Sequence, residues 1–120
     1  MSDLRPVGIP INLGGEERHL LFTLNAMDTL ESDYDKPIEE IINQLTDKTT
    51  SWRTLKKILT VIMNDSLERE GKEPVITEHD VGWWVHGGNI LEVSIAVMKA
   101  YGYSLPEPDE FESPNGETGQ

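Results

Sequence analysis

The residues best suited to metal binding are three histidines, His19, His79 and His86; the chain has no cysteine, so zinc-thiolate sites, disulfides and thiol catalysis are all absent. Helical zinc sites commonly use histidines four residues apart, whereas His79 and His86 are seven apart, roughly 10 Å along a helix at about 1.5 Å per residue. No metal site and no cofactor are therefore expected. The string His86-Gly87-Gly88-Asn89 looks like the oxyanion loop of some esterases, but no G-x-S-x-G elbow supplies a nucleophile. Carboxylates are abundant, and neighbours such as Glu16 with Glu17 or Glu39 with Glu40 invite comparison with hydrolases. General acid and base work needs two carboxylates tuned differently inside a cleft, which adjacency on a solvated face does not provide. Gly14 and Gly15 lack the lysine and spacing of a phosphate loop. No catalytic residue is assigned.

Binding is better represented than catalysis. Arg53, Lys56 and Lys57 cluster where a helix begins, an unfavourable place for cations against the helix dipole, and could receive an acidic segment or partner. In DVGWWVHGG, Val81, Trp84 and Val85 share one helical stripe, while Trp83 lies roughly opposite with His79 and His86. Trp84 is expected in the core. Trp83 is either sandwiched by another element or exposed as an aromatic anchor of the type enriched in binding hot spots.

The elements that must position these residues follow from periodicity. Val7 to Leu24 reads as a hairpin, VGIPIN and HLLFTL around LGGEER, with the two glycines at its turn. Pro10 has no N–H for a ladder, so the first strand should be an edge, with Ile9 and Ile11 available to a partner's sheet. Asn25 is the expected N-cap of a first helix reaching Tyr34, and Pro37 opens a second carrying Ile38, Ile41, Ile42 and Leu45. The longest helical pattern runs from Ser51 to about Glu70, with Trp52, Leu55, Leu59, Ile62 and Met63 on one face and Gly71 as its stop. Thr77 with Asp80 forms a capping box for a fourth helix ending near Gly87 and Gly88, and Asn89 with Glu92 repeats the signal for a fifth. That fifth helix is apolar around most of its circumference, so it is either the most buried element or part of a partner interface through residues such as Met98 and Tyr101. The fold class expected is mainly α: an N-terminal β-hairpin on about five helices, a single domain over residues 1–103. Residues 104–120 should be a disordered acidic tail.

Composition narrows the partners. At 120 residues the chain suits one core, and its net charge of −12 disfavours nucleic acid and anionic membrane. Five of the acids lie after Tyr103, with no Lys or Arg among them, leaving −7 on the preceding body. No segment approaches the roughly 18 apolar residues of a membrane span, and the N-terminus lacks a signal-peptide run, so a soluble protein is expected.

GIPINLGGEERHLLFTLNAMDTLE, Gly8 to Glu31, resembles the opening of the small tail assembly chaperones of long-tailed bacteriophages and prophages, whose two-strand unit leads into a helix. RTLKKILTVIMNDSL from Arg53 is similar to that family's central helix, and ITEHDVGWWV from Ile76 to its following helix start. The resemblance extends over roughly Gly8 to Tyr101, departing at the tryptophan pair, where aliphatic or acidic residues are more usual. It implies a non-enzymatic protein of the host cytoplasm, absent from the finished particle, that binds the tape measure protein and recruits major tail protein. A second copy or a longer frameshifted form would be further partners. The alternatives are an acidic inhibitor that mimics nucleic acid, another phage or prophage adaptor, and a small hydrolase.

Overall fold

The computed structural model describes residues 8–46 and 51–103, and the expected acidic tail and Val7 lie outside them. Two strands, β1 (Ile9–Leu13) and β2 (Glu16–Leu20), are followed by α1 (Leu24–Tyr34), α2 (Ile38–Asn43) with a 3-10 turn at Gln44–Thr46, α3 (Ser51–Arg69), α4 (Glu78–Trp84) and α5 (Ile90–Tyr103). The fold is thus mostly helical with an N-terminal antiparallel hairpin, as the periodicity predicts.

The strands are shifted from the expected bounds because the turn is tighter. Leu13 pairs with Glu16 across a two-residue loop, Gly14 and Gly15, both at positive φ (66° and 81°), which suits the right-handed twist of the strands. Ile9, Ile11 and Leu13 then share a face with Arg18 and Leu20, and Ile11, Leu13 and Leu20 are buried against α3 and α5. β1 is an edge of this two-stranded sheet, in keeping with Pro10, and its apolar side chains face inward: Ile11 is only 6% exposed and Ile9 packs against the core, so a partner's strand would meet the main chain of this edge. Pairing on helices is what a lone hairpin requires for stability.

Helix starts and connections are held by side chains. Thr23, not Asn25, caps α1, its Oγ1 accepting the Ala26 N–H at 3.0 Å while donating to Asp65 Oδ2 at 2.7 Å. A threonine preferred over the neighbouring asparagine gains this second bond to α3, which local sequence does not display. Pro37 occupies the N-cap of α2 rather than its first helical position. It offers no side-chain acceptor there, and Glu31 of α1 takes the Ile38 N–H instead, at 2.7 Å. Asn64 clamps the segment before α4 by both its amide atoms, donating to the Ile76 carbonyl at 2.7 Å and accepting its N–H at 3.0 Å. The capping box of Thr77 and Asp80 is present as expected.

The core centres on α3, through Leu55, Ile58, Leu59, Ile62 and Met63. Helix α5 is not the most buried element. Val93, Ala96, Val97 and Ala100 face the core, while Leu91, Ile95 and Met98 lie exposed on the far side.

Candidate binding surfaces

The stretch around the tryptophans is organised differently from the expectation. Helix α4 stops at Trp84, with Val85 already extended, so Gly87 and Gly88 do not end it; they belong to the turn that leads into α5. Asn89 manages both ends of that turn, donating to the Trp84 carbonyl at 2.9 Å and accepting the His86 N–H at 2.8 Å. The Gly88 N–H goes to His86 Nδ1 at 3.0 Å, so that donor is occupied within the turn rather than aimed at a substrate oxygen.

Trp84 packs on the hairpin turn. A Cβ at Gly14 would stand 2.6 Å from its indole, and the Arg18 guanidinium lies 4.9 Å from its ring centroid while Nε donates to the Leu13 carbonyl at 2.9 Å. It is half-buried, sealing the side of the core rather than lying inside it. Trp83 resolves to the exposed alternative: it is 71% exposed, and His79, one turn earlier, stands edge-on to it at 4.6 Å between ring centroids.

The three histidines go to three places. His19 lies beside Glu17 on β2, 3.5 Å away, His79 against Trp83 and His86 in the turn. Among the described residues no group of three or more His, Asp or Glu is placed to hold a metal. No helix among them is long and apolar enough to cross a membrane.

The basic cluster divides. Lys57 is committed to the fold, its Nζ 2.7 Å from Asp33 and 3.9 Å from Glu78, and the hydrogen bond to Asp33 raises its pKa above the usual 10.5. Arg53 and Lys56 form no ion pair with another described residue. They stand at the rim of a groove of about 250 Å³ between the start of α3, α4 and the α4–α5 turn. Leu55, Leu59, Val81, Val85 and Ile90 give it an apolar lining; Trp52, 63% exposed, and His86 complete its edge. Gly82 also lines the groove, and a Cβ there would make ordinary van der Waals contact with the stem of Lys56, 3.4 Å from Cδ. The spacing of charges singles out Arg53 and Lys56, and periodicity puts Trp52 on the apolar face of α3 with Leu55 and Leu59, where it stands exposed at the groove's edge.

The second surface is the outer stripe of α5. Leu91, Ile95 and Met98 recur at i, i+4 and i+7, and at about 100° per residue their mean direction is about 180° from that of Val93, Ala96, Val97 and Ala100. Ile95 and Met98, with Leu45, Ser94 and Lys99, line a shallow depression. Met98 is therefore open to a partner, whereas Tyr101 is turned inward, edge-on to Phe22 at 5.7 Å and half-buried. Against protein families, curated proteins and solved structures, the chain gives no significant match.

Proposed function

We propose that the protein is a non-enzymatic binding protein of the tail assembly chaperone kind, which holds an apolar helical segment of a tape measure protein and recruits major tail protein. The observation that carries the reading is the outer face of α5. A helix whose inward face already fills the core carries a second apolar stripe, Leu91, Ile95 and Met98, with Leu91 73% exposed. Soluble helices ordinarily place polar residues there, and an apolar stripe at this spacing matches the seam offered by another helix. The net charge of −12 supports the same role, since a carrier of an apolar client must stay soluble while loaded. The resemblance of Gly8–Glu31, Arg53–Leu67 and Ile76–Val85 to the small tail assembly chaperones supplies the client, and with it a site of action in the host cytoplasm, outside the finished particle. Trp83 on the outer face of α4 is a second contact for that client.

Co-expression with tape measure fragments and, in parallel, with major tail protein tests this. The native chain should retain both clients through purification. Leu91→Glu with Ile95→Glu should abolish capture of the tape measure fragment, and Trp83→Ala should weaken it, with stability changed by no more than about 0.5 kcal/mol because all three side chains are at the surface. Capture of neither client by the native chain would sink the proposal.

A further inference from the structure

The groove between α3 and α4 is separate from the α5 stripe, and its chemistry points to a different occupant. An apolar lining of 250 Å³ beside an exposed tryptophan suits a single large side chain. The rim cations Arg53 and Lys56 have no carboxylate partner among the described residues, and Arg53 sits in the first turn of α3, where the helix dipole also favours a negative neighbour. A fitting ligand is therefore an aromatic residue set among acids.

The chain carries such a segment itself. Phe111, the only aromatic residue after Tyr103, is flanked by Asp109, Glu110 and Glu112. We propose that the groove is the seat of this segment, Phe111 entering between Trp52 and Val85 while the acids meet Arg53 and Lys56. The path is long enough. Ile90, at the start of α5, lines the groove, and Tyr103 ends that helix thirteen residues later, about 20 Å away at about 1.5 Å per residue. The eight residues from Tyr103 to Phe111 reach up to about 28 Å when extended, and Pro106 and Pro108 favour such a course. Tethering raises the local concentration of the segment to about the millimolar range, so a contact that would be weak between separate molecules is populated within one chain.

The absence of cysteine allows a direct test in the full-length chain. Ser113→Cys carrying a nitroxide is compared with its reduced form in ¹⁵N amide spectra at low salt. Docking predicts selective intensity loss at Gly82, His86 and Gly87, with Gly71 at the far end of α3 unaffected. Adding Phe111→Ala should restore the lost intensity, and so should Arg53→Gln with Lys56→Gln; unchanged amide dispersion shows that the fold persists. Uniform or absent broadening overturns the proposal, as does broadening that survives Phe111→Ala. Broadening seen only between labelled and ¹⁵N-enriched copies assigns the groove to a second copy and overturns docking within the chain.

Discussion

Gly14 illustrates how one residue couples a turn to a distant helix. Its positive φ of 66° disfavours any side chain, and a Cβ there would also drive into the Trp84 indole at 2.6 Å. Gly15 has the same backbone demand, at 81°, with nothing within 4 Å of a Cβ. Gly15→Ala should therefore cost about 1–2 kcal/mol, the left-handed penalty alone, and Gly14→Ala distinctly more. Urea denaturation of both variants checks the order, and a cycle with Trp84→Ala isolates the steric part: in that background the two alanine substitutions should converge. Equal losses in the native background would show that the indole yields. The glycine pair was legible as a turn from its spacing, but its pairing with a residue seventy positions away was not, because local sequence carries no record of which side chain covers a turn.

Elements were legible to the extent that they are set by local signals. The hairpin, five helices and the capping box of Thr77 follow from alternation, helical spacing and caps, and the structure has them. Boundaries moved where a tertiary partner decided between neighbouring candidates: Thr23 over Asn25 through Asp65, and the end of α4 at Trp84 through Asn89. Of the expected contact residues, Trp83 and Met98 are exposed and Arg53 and Lys56 border a groove; Ile11 and Tyr101 are engaged in the core and Lys57 in ion pairs. Periodicity finds an apolar face but cannot say which of two opposed faces on α5 is covered. The tertiary clamp with the clearest energetic consequence is Asn64, which satisfies both the N–H and the carbonyl of Ile76 and so fixes where α4 begins relative to α3. Asn64→Ala strands both backbone groups and should cost about 1–3 kcal/mol, read from the urea midpoint. Faster amide exchange should follow at Ile76, with Leu30 on α1 showing only the global change; a loss spread evenly over both would place the clamp's effect elsewhere.

At the scale of the whole molecule, the groups with displaced pKa values among the described residues all lie on the alkaline side and act in one direction. Tyr34 is raised above its ordinary 10.0 chiefly by burial, against the opposing effects of the Thr54 hydrogen bond and Lys57. Burial also raises Tyr101, with Glu39 and Glu31 adding to it, and the hydrogen bond to Asp33 is the main cause of the rise at Lys57. In each case the folded state holds its proton more tightly than the unfolded chain. The associated stability is fully present below the unfolded values of 10.0 and 10.5 and is lost as pH rises through the folded ones. Loss of lysine charge over the same interval deepens the self-repulsion of a chain already at −12, so both effects point downward. Urea midpoints taken from about pH 8 to about pH 11 should fall only as pH passes about 10. Tyr34→Phe, which keeps the ring and removes the titrating hydroxyl, should flatten that fall, because a group unable to release a proton no longer distinguishes the two states; a slope unchanged in the variant would assign the alkaline transition to charge repulsion alone.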